Sequence, residues 1–211
     1  MKLKFADFCK LDYIFAMLSR ALNWWKTDAQ ITLDNMRAVH ALVGGRGPGR
    51  RYATGQINNA YVVLLSSQFQ KFCRDLHSQA ADHIASMIPA TLPWSFRPVV
   101  MARFTDGRKL DRGNATPGNL GIDFDRFGFD FWQALEIADP RNLERNKKLE
   151  QLNVWRNAIG HHDFSKAECG GRVAVRLYEV TDWRRTCDAL AGQFDTVLCG
   201  HLKSLTGAIP W

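Results

Sequence analysis

The chain has 211 residues, of which 46% are hydrophobic and 23% charged, proportions that exclude a disordered, collagen-like or low-complexity protein. At this length it can bury roughly two-thirds of its unfolded surface without a disulfide or metal staple, and its apolar runs, such as Tyr61 to Leu65, fall far short of the ~20 residues a membrane span requires. Lys and Arg outnumber Asp and Glu by 28 to 21, and 18 of the 28 are Arg, whose planar fork grips phosphate through two hydrogen bonds, so the balance leans toward a phosphate-bearing partner.

In chain order, Phe8, Leu11, Ile14, Phe15, Leu18, Leu22 and Trp25 recur at three- and four-residue spacing and predict an amphipathic helix. A second helix is predicted over Leu33 to Val43, with Thr32 as its N-cap and Gly44 as its stop. Residues 44–51 hold four glycines, a proline and Arg46, Arg50 and Arg51, a basic loop. A long helix follows, marked by Ile57, Tyr61, Leu64, Leu65, Phe69, Phe72 and Leu76 and extending toward Ile84. Pro89, Pro93 and Pro98 break the chain, and Gly113-Asn114 and Pro117-Gly118-Asn119 read as turns. An aromatic helix is predicted from Phe127 to Ala138, its rings belonging to the core.

Asp139-Pro140 reads as a helix start, an acid ahead of proline at the first helical position. That helix runs to about Ile159, with Leu149, Leu152, Trp155 and Ile159 on its apolar side and Gly160 loosening its end. Arg172 to Tyr178 alternates like a short strand, and a last helix begins after Thr181. The whole predicts an all-α chain, one domain over 1–211, built as an antiparallel helical bundle with irregular loops and at most a short strand pair. The cysteines (Cys9, Cys73, Cys169, Cys187, Cys199) are scattered, without zinc spacing, and read as reduced, mostly buried thiols, so no metal and no cofactor are expected. Asp7 interrupts any apolar signal core near the N-terminus, which predicts a cytoplasmic protein without a membrane anchor.

One stretch carries chemistry: Trp155-Arg156-Asn157-Ala158-Ile159-Gly160-His161-His162. An Arg followed by His after four to six residues should occur about 1.5 times by chance in this composition, but requiring Asn beside the Arg lowers that to about 0.07. Arg156 is the one arginine that fits, pairing with His161 or His162. The stretch resembles the Arg-Asn-x-x-x-His signature of the HEPN superfamily, helical domains that often act as metal-independent ribonucleases. Residues 45 to 211 are similar to the RiboL-PSP-HEPN branch: the run Gly47 to Arg51, the helix Asn58 to Leu76, and the end Thr181 to Leu198 followed by Ile209-Pro210-Trp211. Relatives often carry an acid where this helix has Gln68 or Gln70.

The resemblance implies cleavage of an RNA phosphodiester by the neighbouring 2′-hydroxyl, in a toxin or anti-phage defence effector. Histidine, with an ordinary pKa near ~6.5, can give or take a proton at neutral pH, which suits His161 to general acid–base work. Arg156 is suited to hold the phosphate oxygens as negative charge develops, and Asn157 to orient the histidine or a phosphate oxygen. Arg50, Arg51, Arg74 and His162 are the candidate substrate-binding residues. Residues five apart on an ideal helix lie about 140° apart, so Arg156 and His161 share a face only if Gly160 breaks the helix. The resemblance offers another solution, a twofold homodimer in which the two sets face each other, with an antitoxin or sensor protein as a further partner. A catalytically silent, dimeric module binding RNA or protein is the alternative. Independently of any site, Arg156 and His161 would favour a helix C-terminus by ~0.3–1 kcal/mol. His40, His77, His83 and His201 are assigned no role.

Overall fold

The computed structural model describes residues 18–44, 52–89, 91–93, 96–165 and 169–211. Helices α1 (Arg20–Trp24), α2 (Gln30–Gly44) and α3 (Tyr52–Ser86) are followed by the short α4 (Phe96–Thr105), α5 (Pro117–Phe124) and α6 (Phe131–Ala138), then by α7 (Asn142–His161) and α8 (Leu177–Thr206). The arrangement is an all-α helical bundle with irregular loops. There is no strand among the described residues.

The long helices align through side-chain bonds. The α3 and α8 helices run in the same direction, Arg184 Nη1 donating to Tyr61 Oη at 3.1 Å and His83 meeting Thr206 at 3.0 Å further along. The N-terminal run opposes them: the Ser19 amide reaches Asp195 and Trp25 Nε1 reaches Asp188, while Asp34 pairs with Arg184. The α7 helix also opposes α8. Its first turns face Arg185, Thr186 and Ala189 across a shallow groove, and Lys148 pairs with Asp182 at 2.8 Å.

The core follows the sequence periodicity. Tyr61, Leu65, Phe69, Phe72 and Leu76 on α3 and Cys187, Leu190, Phe194 and Leu198 on α8 are buried. Phe124, Phe131 and Phe194 form one aromatic cluster and Trp25, Phe69 and Phe72 an adjoining one. Phe127 is buried too, and Phe129 and Trp132 pack against the core, as the aromatic pattern predicted. Fully burying such a ring is worth about 1.5–3 kcal/mol. Cys73, Cys169 and Cys187 are buried, and burial raises the Cys73 and Cys187 thiols well above the ordinary range. Cys9 lies outside the described residues. No helix among the described residues is long and apolar enough to cross a membrane.

Several boundaries differ from the sequence reading. The first two predicted helices are one run, because α1 passes through a π-helical turn (Trp25–Ala29) directly into α2. Its cap is Ser19, whose Oγ accepts from the Leu22 amide. Thr32 is inside the helix, its hydroxyl donating to the Asp28 carbonyl, and is no cap. The residues Phe8 to Phe15 lie outside the described chain. Pro117-Gly118-Asn119 opens α5 instead of turning: Thr116 Oγ1 caps the Asn119 amide and Pro117 takes the first helical position, where its missing N–H costs nothing. The aromatic helix splits at Gly128, whose φ of 89° ends a short 3₁₀ turn (Asp125–Phe127) before Asp130 caps α6.

Residues 172–176 form no strand, and α8 starts at Leu177, five residues ahead of the predicted start. Asparagine side chains of α3 replace a partner strand. Asn58 Nδ2 donates to the Val175 carbonyl, Asn59 Nδ2 donates to the Val173 carbonyl, and Asn59 Oδ1 accepts from the Val175 amide. Glu179 then caps the first turn of α8 by accepting from the Arg176 amide.

Candidate active site

The α7 helix carries the Arg-Asn-x-x-x-His stretch, and its placement starts from its first residues. Asp139 accepts from the Arg141 amide and pairs with both Arg141 and Arg145; the Arg141 guanidinium holds its carboxyl far below the ordinary range. Asn142 Nδ2 donates to the Leu135 carbonyl. The helix therefore starts within two residues of the Asp139-Pro140 signal. Leu149, Leu152, Trp155 and Ala158 are buried at helical spacing and fix its rotation.

That rotation turns a second, polar stripe toward the loop between Lys109 and Thr116. Buried Asn153 donates through Nδ2 to the Ala115 carbonyl at 3.0 Å. One turn later, Asn157 Oδ1 accepts from Asn114 Nδ2 at 2.6 Å and from Arg156 Nη1 at 3.2 Å. From the opposite side, Gln70 on α3 donates to the carbonyls of Leu110 and Gly113 at 2.9 and 2.7 Å. A carboxylate there would present only acceptors to two acceptors, which accounts physically for an amide at this position.

Arg156 is half-buried and makes no ion pair among the described residues. Arg172, by contrast, is engaged, gripping Glu179 through two hydrogen bonds of 2.8 and 2.9 Å while lying 5.1 Å above the Trp155 ring. The Arg172 pairing lowers the Glu179 carboxyl pKa.

Gly160 does not break the helix. It stays helical, and α7 continues to His161. A Cβ at Gly160 would meet Arg156 Nη1 at 3.9 Å, so the guanidinium extends along the helix toward its C-terminal end. His161 is exposed on the last turn, and the roughly 140° between the two positions remains.

His162, also exposed, closes the helix in the left-handed region at φ 53°. Its amide donates to the Ile159 carbonyl at 3.3 Å and that of Asp163 to the Ala158 carbonyl at 2.9 Å, satisfying carbonyls a helix end leaves open. The His162 ring stands edge-on to Phe164, which packs in turn near Trp155.

The structure thus brings Arg156 and Asn157 into direct contact, with His161 and His162 on the last turn of the same helix. Arg74 stands apart on α3, one turn beyond Gln70; its carbonyl accepts from Arg108 at 3.4 Å. Arg50 and Arg51, with Arg46, lie outside the described residues. Sequence reasoning missed Asn114, Asn153 and the role of Gln70. A signal existed for one of them: Asn153 sits between Leu152 and Val154, four residues ahead of Asn157 on the same helix. No family model, curated protein or solved structure matches the chain.

Proposed function

We propose that this protein is a metal-independent endoribonuclease of HEPN type, working as a homodimer in the cytoplasm and serving as a toxin or anti-phage effector. The observation that carries the reading is Arg156: its guanidinium is braced by Asn157 and unengaged by any carboxylate among the described residues, while the same helix ends on the exposed imidazole of His161. Arg108 and Arg172, by contrast, each grip a carboxylate.

The reaction divides between these groups. The 2′-oxygen attacks phosphorus and loses its proton, a 2′-O–P bond forms, and the P–O5′ bond breaks as the 5′-oxygen gains a proton. The products are a 2′,3′-cyclic phosphate and a 5′-hydroxyl. His161 gives or takes protons, a contribution of typically ~10²–10⁴-fold. Arg156 holds the phosphate oxygens where charge accumulates. The angle between the two on one continuous helix favours assembly across a twofold seam, with Arg156 of one protomer approaching His161 of its partner. DNA lacks the attacking hydroxyl and is spared by this chemistry.

The test is incubation of the purified protein with end-labelled RNA in EDTA, beside His161→Ala and Arg156→Ala. We expect chelator-resistant cleavage leaving 2′,3′-cyclic ends, reduced at least 100-fold in both variants, an estimate from acid–base contributions of about that size. Equal cleavage by the variants refutes the site, and RNA binding without cleavage shows a silent binding module instead. Growth arrest on expression, relieved by the same substitutions, supports a toxin held in check by an antitoxin or released by a sensor protein.

A further inference from the structure

We infer that Asn114, on the loop ahead of α5, is a positioning residue of this site that sets the direction of the Arg156 fork through Asn157; the inference rests on the proposed cleavage chemistry. A carboxamide has two faces of opposite polarity, and what approaches one end decides which atom the other presents. Asn114 Nδ2 approaches Asn157 at 2.6 Å. That donor requires oxygen toward it, and the same Oδ1 receives Arg156 Nη1 at 3.2 Å. Were the Asn157 amide turned over, its NH₂ would face the guanidinium N–H groups, donor against donor. Asn114 therefore selects the one orientation of Asn157 that can brace the arginine.

The loop does not need this side chain to keep its own shape. Gln70 holds the carbonyls of Leu110 and Gly113, Asn119 Nδ2 holds the Asn114 carbonyl at 2.8 Å, and Asn153 holds that of Ala115. All four bonds end on backbone carbonyls, leaving the Asn114 amide directed at α7 alone. The loop is in this way a rigid mount, fixed from α3, α5 and α7, that delivers one donor to one acceptor.

Steady-state cleavage of an RNA oligonucleotide separates this role from a structural one. A misplacement of about 1 Å can cost ~10²-fold in rate, so Asn114→Ala should lower kcat about 10- to 100-fold with KM within twofold. Asn114→Asp, nearly the same size, should fall below Ala, because a carboxylate facing Asn157 Oδ1 forces the turned-over amide. The double variant Asn114→Ala/Asn157→Ala should be no slower than Asn157→Ala alone, since both act through one chain of contacts. Circular dichroism melts report the folded fraction, to which kcat is normalised. An unchanged kcat per folded molecule in Asn114→Ala, an effect confined to KM, or additive losses in the double variant would overturn the inference. If Arg156→Ala is inactive while Asn114→Ala is not impaired, only the positioning role falls; if wild type and Arg156→Ala are indistinguishable, the cleavage reading falls and takes this role with it.

Discussion

His162 occupies a backbone conformation that glycine adopts freely and other residues adopt at a cost of about 1–2 kcal/mol. Replacing it by Gly removes that cost but adds freedom to the unfolded chain, a loss of about 0.4–1 kcal/mol. The net expectation for His162→Gly is a gain of about 0.5–1 kcal/mol, seen as a melting temperature higher by roughly 1–4 °C. A lower melting temperature would mean that the ring's contact with Phe164 outweighs the backbone term. At this scale the sequence disclosed the identity of the chemistry-bearing residues and little of their partners. Arg156, Asn157 and His161 were visible because the spacing of their types is rare. Asn114 was hidden because a Gly-Asn pair reads only as a turn, and its bond to Asn157 spans 43 residues.

At the scale of elements, α7 was legible at both ends but not in its continuity. The Asp139-Pro140 start is a local signal and held within two residues. Gly160 suggested a break because glycine is poor in helices, yet the carbonyls just before it, of Ile159 and Ala158, are closed by the amides of His162 and Asp163, and the helix runs on to His161. The Gly160→Ala substitution should therefore stabilise the protein, by up to about 1 kcal/mol from helix propensity, because the added Cβ meets only Arg156 Nη1 at an ordinary 3.9 Å. Chemical denaturation checks this, and a destabilised variant would show that the Arg156 side chain needs the space. The segment 172–176 misled for a different reason. Its alternation of Val173 and Val175 is real, with Val173 exposed and Val175 buried, but alternation records only which side faces inward. The backbone partners turned out to be two asparagine side chains on α3, which no periodicity can announce.

For the molecule as a whole, the helical class and the aromatic core followed from spacing, since burial of one face is what a 3.6-residue period encodes. Buried polar groups were invisible to that reasoning, and one of them sets a pH dependence. His77 is fully buried, its Nε2 donating to the Asp123 carbonyl at 3.0 Å and its Nδ1 facing Arg108 Nη1 at 3.4 Å. Burial, aided by the Arg108 and Arg126 charges, lowers its pKa to about 4. The unfolded chain therefore takes up this proton near pH 6.5 and the folded chain only near 4, so stability falls as pH drops through that interval. The contribution is on the order of 3 kcal/mol. Burial raises Asp188 and Asp195, which act in the opposite sense as they protonate, so the effect is isolated by comparison with His77→Gln. The stability advantage of the wild type over that variant, from urea titrations, should shrink steadily from pH 7 to pH 4. A constant difference would place His77 in a solvated setting.

The mooring of Val173 and Val175 to α3 has a mechanical side. Amide-to-carbonyl bonds are directional and resist sliding, whereas the Arg172 guanidinium over the Trp155 ring face tolerates lateral drift. The approach to α8 is thus locked to α3 by direction-fixed bonds and held to α7 by a face that tolerates sliding.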